Sequence, residues 1–197
     1  MNLLAQPRHA KGGNIVPAQW RSDIQDVLIT EEQLSRRVGE LARAITRDYV
    51  GKDLLVIALL TGTVMFLADL LRHLILPLRL DFMGVSSYSD TTAAPKPRFL
   101  RELRLEVKDR DILLVNDILD TGRTITAADA RIRGLGPRSL KTCVLLDKPA
   151  RRAESILVDY VGFVIPDLFV VGYGLDYAER YRNLPFVGVL HPELYHS

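Results

Sequence analysis

The sequence predicts an α/β protein built on a mostly parallel central sheet flanked by helices. Three observations carry that expectation. Short uninterrupted apolar runs, such as LLVIALL (54–60) and ILLV (112–115), fit strands covered on both faces. Stretches with helical spacing lie between such runs, and Gly or Pro punctuates the changes. At 197 residues, 48% hydrophobic and 25% charged, the chain is long enough for one substantial core.

Residues 1–25 hold Gly12-Gly13 and Pro17 with little periodicity, so they are expected to form a loosely structured arm ahead of a single domain over 26–197. Thr30-Glu31-Glu32-Gln33 fits a capping box, in which the Thr30 hydroxyl accepts from the Gln33 amide while the Gln33 side chain reaches back. Ile29 and Leu34 stand as a hydrophobic staple, and Leu34, Val38, Leu41, Ile45 and Tyr49 continue one apolar helical face. Gly51-Lys52-Asp53 breaks this helix and introduces the strand 54–60. After Thr61-Gly62-Thr63, VMFLADLLRHLI (64–75) predicts a largely buried helix closed by Pro77, then a strand over LRLDFMGV (78–85).

The stretch SSYSDTTAAPKPRF (86–99) has no core-forming period and is expected to be a long mobile loop or a loosely held hairpin. Loops of that length inside a compact domain are often lids. Strand ILLVN (112–116) leads to the DTGRT turn and a helix from about Thr124 to Arg133, stopped by Gly134 and Gly136. Further strands are predicted at KTCVLL (141–146) and YVGFVI (160–165), with FVVGY (169–173) as another candidate.

Twenty-six basic and twenty-four acidic residues leave a formal charge of +2, which argues against nucleic acid as a partner while leaving room for a local basic patch. Cys143, the single cysteine, lies in the apolar TCVLLD and is expected to be a buried core thiol. It can form neither an internal disulfide nor a metal cluster, which fits a reducing compartment. MNLLAQPRHAKGG lacks the long apolar segment of a secretory signal, and no apolar stretch is long enough to span a membrane. The expected location is the cytoplasm.

The chemistry concentrates in ILLVNDILDTGRT (112–124). In an open α/β sheet ligands lie beyond the carboxyl ends of the strands, so Asn116 and Asp117 would project into a crevice. Thr121-Gly122-Arg123-Thr124 would place backbone amides at a helix N-terminus, where they and the dipole attract phosphate. Thr121 and Thr124 add hydroxyls, and Gly122 allows close approach. Asp120 would be repelled by a phosphate unless it faces another part of the ligand. The pattern therefore points to a phosphorylated molecule with a second polar centre. The plainer alternative is a turn whose Thr and Asp only cap the helix, and the strand, the Asn-Asp pair and both threonines weigh against it.

ILLVNDILDTGRT closely resembles the phosphoribosyl-pyrophosphate (PRPP) motif of type I phosphoribosyltransferases. VGFVIPDLFVVGYGLDYAERYRNLPFVGVL (161–190) is similar to the corresponding segment of the hypoxanthine-guanine members. LLTGTVMFLADL (59–70) and DFMGVSSYSD (81–90) match the same group in order and spacing. The resemblance covers roughly Ile29 to Pro192. It implies that family's fold with a small hood and a mobile lid loop, Mg²⁺ as cofactor, and a role in purine salvage. The implied reaction joins PRPP to a 6-oxopurine, giving a purine nucleoside monophosphate and pyrophosphate. Breaking the C1′–O bond creates oxocarbenium character, so the protein must hold the phosphate, offset the leaving charge, orient the base and exclude water.

The resemblance also implies roles for residues. Thr121, Gly122, Arg123 and Thr124 would cradle the 5′-phosphate. Asp120 falls on the acid/base position beside N7 of the purine. Asn116 and Asp117 lie on the ribose and metal side, and Asp176 on a second Mg²⁺. Thr61, Gly62 and Arg182 would meet pyrophosphate. Lys148 would donate to the 6-oxo group, Phe169 would stack on the base, and Val170 would meet the purine edge through its backbone. Ser87 and Tyr88 begin the lid. Taken singly, Lys148 reads as a surface lysine, Phe169 as core, and Asp176 with Arg182 as a surface ion pair.

Two departures stand out. Thr61 occupies a place where the family commonly has Lys, at a peptide that can be cis; the likeness extends that form to Leu60–Thr61. Asn116-Asp117 stands where the family usually has Glu-Asp. Both changes suit a non-catalytic PRPP or nucleotide sensor, while Asp120, Lys148, Asp176 and Arg182 argue for an enzyme. An RNA-binding regulator on the same fold is a third reading, disfavoured by the purine-like carboxyl end and the weak net charge. As in related enzymes, a homodimer or homotetramer is expected.

Overall fold

The structure is a computed structural model that describes residues 16–88 and 96–195. Strand β1 (Ile24–Ile29) runs directly into helix α1 (Glu31–Tyr49), and the junction closes as the sequence predicts. Thr30 Oγ1 accepts from the Gln33 amide at 3.3 Å, and Gln33 Oε1 accepts from the Thr30 amide at 2.8 Å. The apolar face from Leu34 to Tyr49 is buried. β2 (Leu54–Leu60) is covered on both sides. Leu54, Val56 and Ala58 pack with α1 and with α2 (Val64–His73), and Leu55, Ile57 and Leu59 pack on the opposite face.

α2 ends at His73, short of the expected Ile75. Leu74 is already extended, although its side chain is still buried in the core, and Ile75 is 88% exposed. β3 (Leu78–Tyr88) outlasts its predicted span and pairs antiparallel with β4 (Lys96–Arg101), Ser87 facing Pro97 and Tyr88 facing Lys96. Of the two expectations for 86–99, the hairpin is the one formed; residues 89–95 lie outside those described.

β5 (Asp111–Leu119), α3 (Arg123–Gly134), β6 (Ser139–Asp147) and β7 (Tyr160–Val164) complete a six-stranded sheet. Its order is β4-β3-β2-β5-β6-β7, parallel except at β4. Ile125, Ala128 and Ile132 of α3 cover the face opposite α1 and α2. Cys143 is buried in the core, and burial pushes its thiol far up. No helix among the described residues is long and apolar enough to cross a membrane.

β8 (Val170–Val171) and β9 (Val187–Leu190) join β1 in a separate antiparallel sheet ordered β1-β9-β8, in the place of the expected hood. The candidate strand 169–173 shortens to two residues because Gly172 turns the chain at φ +95°. Residues 16–25 depart from the expected loose arm. Val16 and Ile24 are buried, and the Trp20 ring meets Tyr181 edge-on at 5.0 Å. Their partners lie near the carboxyl terminus, beyond the reach of local periodicity. Residues 1–15 of that arm lie outside those described.

One buried carboxylate fastens the chain leaving the hairpin. Asp81 on β3 accepts from the amides of Phe82 and Leu105, each at 2.8 Å, and from that of Arg104. Burial disfavours its charge, but these donors outweigh burial and hold the carboxyl below its ordinary value. Its stabilising contribution is therefore full above the ordinary carboxylate range and lost as pH falls through the lowered value. Asp81→Asn should lower the unfolding free energy by about 1.5–3 kcal/mol in urea at neutral pH, with the difference shrinking in acid.

Candidate active site

β3 lies on one side of β2 and β5 on the other, so the winding of the sheet reverses between β2 and β5. The carboxyl ends of such a pair flank a crevice. Here it is a cavity of about 400 Å³, lined by Leu59, Leu60 and Gly62 after β2, by Val85 of β3 and by residues 116–125. The Leu60–Thr61 peptide is cis, as the resemblance implies. Ser87 and Tyr88 continue β3 beyond Val85, so the hairpin leaves from the cavity's edge.

The turn before α3 is arranged for an anion. Gly122 is the N-cap, in the left-handed region at φ 90°. A Cβ there would lie 3.2 Å from both the Cβ and the carbonyl oxygen of Glu154, so conformation and space both call for glycine. The turn's carbonyls are occupied by the segment after β6. Thr121 O accepts from Ala153 and Glu154 amides at 2.9 and 3.0 Å, and Asp120 O accepts from Arg152 Nε at 3.2 Å. Arg152 also pairs with Asp147. The first amides of α3 have no carbonyl one turn back, which leaves Thr121, Gly122, Arg123 and Thr124 presenting donors at the cavity wall.

Two carboxylates follow from the same strand. Asp120 Oδ1 is buried and accepts no hydrogen bond, with Arg151 Nε 3.5 Å away. An oxygen so placed suits an N–H brought by a ligand. Asp117 Oδ1 accepts from the Ile118 amide at 2.8 Å. Burial nevertheless pushes its pKa up to about 6, opposed by backbone donors and Arg182 and assisted by Asp176. Its other oxygen presses on the loop after β2, where a Cβ on Gly62 would lie 1.9 Å away.

Asn116 lines the cavity but turns its amide toward the protein. Nδ2 donates to Ile118 O at 2.6 Å, and Oδ1 accepts from Thr63 Oγ1 at 3.4 Å. One N–H of the nitrogen is committed to Ile118 O, and the oxygen keeps a lone pair for a ribose hydroxyl.

Lys148, Phe169 and Val170 are brought together beside this cavity, although none of them lines it. Lys148 is only 5% exposed, unlike a surface lysine; its Nζ donates to Leu168 O at 2.8 Å and lies 3.6 Å from Asp167. Its amide donates to Leu119 O, next to Asp120, at 2.9 Å. The Phe169 ring stacks on Tyr195 at 4.6 Å and meets Tyr177 edge-on at 5.6 Å, and Val170 is buried. Asp176 and Arg182 do form the ion pair, at 3.0 Å, and Arg182 also reaches Gly174 O at 2.9 Å and Glu179 at 3.0 Å. Gly174, at φ +102°, packs against the loop: a Cβ on it would lie 1.9 Å from Gly62 O.

Among the described residues no group of three or more His, Cys, Asp or Glu side chains is placed to hold a metal. Asp117 and Asp176 are the carboxylates on the Gly62 side. Two carboxylates suit Mg²⁺, which keeps waters and takes further oxygens from substrate phosphates. Sequence reasoning missed Thr63, Arg151, Arg152 and Gly174. The Arg151-Arg152 pair was visible beside Lys148, but nothing local showed that both would turn toward Asp120.

A parallel sheet with an amide nest at its switch point, and beside it a carboxylate oxygen that accepts no hydrogen bond, has the chemistry to suit a phosphorylated ligand. Residues 26–178 match the phosphoribosyl transferase domain family. Hypoxanthine-guanine phosphoribosyltransferase of Bacillus subtilis is 45% identical over 178 residues, which are 90% of this chain and 99% of that protein. The bifunctional protein TilS/HprT of Listeria innocua is 46% identical over 93% of this chain, which spans 28% of that protein's length. A crystal structure of a hypoxanthine phosphoribosyltransferase from Staphylococcus aureus, 41% identical, has a TM-score of 0.87 and is matched over 91% of this chain and 98% of that one. The chain belongs to the phosphoribosyltransferase family and, within it, to the group of hypoxanthine-guanine phosphoribosyltransferases.

The raised pKa of Asp117 has a measurable consequence. A carboxyl whose folded value is raised stabilises the fold in its protonated form, fully below the ordinary range, and that contribution is lost as pH rises through about 6. Asp117→Asn removes the charge at every pH. The ligand-free variant should melt higher than wild type above pH 6 and converge with it in acid. Parallel melting curves at all pH values would show that the carboxylate is not desolvated.

Proposed function

We propose that the chain transfers the 5-phosphoribosyl group of PRPP to hypoxanthine or guanine, forming IMP or GMP and releasing pyrophosphate, as a Mg²⁺-dependent enzyme of purine salvage in the cytoplasm. The observation that carries this reading is Asp120, directly before the amide nest, whose buried Oδ1 has Arg151 Nε at 3.5 Å but accepts no hydrogen bond. A capping turn alone would leave neither a buried oxygen that accepts no hydrogen bond nor an open crevice beside it.

Each residue has a task in that reaction. The amides and hydroxyls of 121–124 bind the 5′-phosphate and so fix the ribose at the cavity wall. Asp117 faces the ribose hydroxyls, with the Asn116 oxygen as a further acceptor. Thr61, Gly62 and Arg182 receive the pyrophosphate. Asp117 and Asp176 would hold Mg²⁺, whose charge offsets that of the leaving group. Asp120 accepts or returns the proton at N7 as N9 attacks C1′. Lys148 keeps one N–H on Leu168 O and has others for the 6-oxo group. Tyr195 covers one face of Phe169, so the base takes the other, with the Val170 backbone at its edge. Ser87 and Tyr88 begin a hairpin that would close over the site and exclude water. The packed residues 16–25 join 26–197 in one transferase domain, which assembles as a homodimer or homotetramer.

The test is nucleotide formation by the folded protein with PRPP, Mg²⁺ and a panel of bases. Hypoxanthine or guanine should give product, and omitting Mg²⁺ should abolish it. Asp120→Asn should lower turnover about 10²-fold or more, with PRPP affinity little changed. No product with any 6-oxopurine, from protein that binds PRPP, would replace the enzyme by a sensor. Lys148→Ala should weaken base binding by about 1.5–3 kcal/mol, as expected for a lost charge-assisted bond, while sparing PRPP. Equal losses for both ligands would make Lys148 a brace for Leu168 alone.

A further inference from the structure

Residues 61–63 carry few side-chain atoms, so their position is set by what they lean on. Asp117 bounds Gly62 on one side and Gly174 bounds it on another, each so close that a Cβ on Gly62 or on Gly174 would lie 1.9 Å from its neighbour. The spacing between the loop after β2 and the 172–184 segment is therefore fixed at backbone contact. Any drift of that segment relative to α2 would change the shape of the crevice at Gly62.

A hydrogen bond outside the cavity ties the same two segments together. The Tyr173 hydroxyl donates to Asp69 Oδ2 at 2.6 Å, and the Tyr173 ring is buried. Asp69 stands on α2, whose N-cap is Thr63, so one rigid element carries both the loop and the acceptor. Tyr173 directly precedes Gly174, so one segment carries both the donor and the glycine that meets the loop. The bond closes this ring. Backbone bonds then extend it to the leaving-group side: Tyr173 N reaches Leu184 O at 2.8 Å, Gly174 N reaches Arg182 O at 2.9 Å, and Arg182 pairs with Asp176. Tyr173 also takes φ 51°, a conformation bulky residues seldom adopt, and its bond to Asp69 is one contact that holds it there.

The geometry points to the Asp69–Tyr173 hydrogen bond as a positioning latch that sets the distance between residues 61–63 and the Gly174–Arg182 segment, and with it the affinity of the site for a Mg²⁺-bound diphosphate. The inference rests on the phosphoribosyl-transfer reading above. Neither side chain lines the cavity, so both act through the loop.

Pyrophosphate with Mg²⁺ probes this half of the site, and calorimetry reads its binding without turnover. Tyr173→Phe and Asp69→Ala should each weaken it about tenfold, the size expected for one hydrogen bond to a charged group. Asp69→Asn keeps an acceptor oxygen and should lose less. The double variant should be no weaker than either single one, as expected for one shared interaction. GMP, held at the α3 end, should bind within about twofold of wild type, as a separate site would. Unchanged pyrophosphate affinity in both single variants, or equal losses for pyrophosphate and GMP, would overturn the latch. A wild-type protein that shows the pyrophosphate pattern but forms no nucleotide would keep the latch and remove the transfer reading. One that binds neither ligand would remove both.

Discussion

β2 and β5 pair in parallel from Leu54–Asp111 to Ala58–Val115, and the crevice beyond their carboxyl ends depends on that register. It sets Leu60 to Gly62 beside Asn116 and Asp117 at the edge of the sheet. It also sorts the alternate side chains of both strands onto the two faces of the core, Leu54 and Leu113 to one and Leu55 and Ile112 to the other. A slip of one residue would send each apolar side chain to the wrong face, so the core penalises any error at the site. Burial on both faces is thus what holds a polar crevice in place. The strands can end in carboxylates and glycines because their stability comes from the residues before those ends.

Beyond the strand ends the site relies on backbone rather than on side chains. Gly62, Gly122 and Gly174 each stand where a Cβ would meet a neighbour. The segment following β6 then acts as a wall: it takes up the carbonyls of Asp120 and Thr121 and so commits the turn's amides to the crevice. Arg152, bound to both Asp147 and Asp120 O, ties that wall to the sheet. A phosphate would therefore meet donors already arranged, with little ordering left to do on binding.

What the sequence made legible was local. The capping box at Thr30, the doubly covered β2, the buried Cys143 and the nest at Gly122 each depend on residues within a few positions of one another. What it hid depends on distant partners. β1 and β9 form a sheet only with each other and with β8, and Trp20 is fixed by Tyr181. No window along the chain contains both members of those pairs. The likeness to a family singled out Lys148, yet only the fold shows that it is buried and already bound to Leu168 O.

Asn116 shows how a departure from a motif can be read once its neighbours are known. A carboxylate there would have no hydrogen to donate to Ile118 O, which Asn116 Nδ2 meets at 2.6 Å. It would also add a negative charge next to Asp117, whose pKa burial has already raised to about 6. Two adjacent carboxyls in so enclosed a place would compete for a proton, and at neutral pH one of them would be held partly neutral. The amide avoids that competition. It satisfies the strand end and the Thr63 hydroxyl while leaving Asp117 as the ionisable group of the pair. The charge at this strand end is then set by one residue, whose ionisation a bound cation would favour. The Asn-Asp pair thus divides between two side chains the bracing and the charge that a Glu-Asp pair would combine.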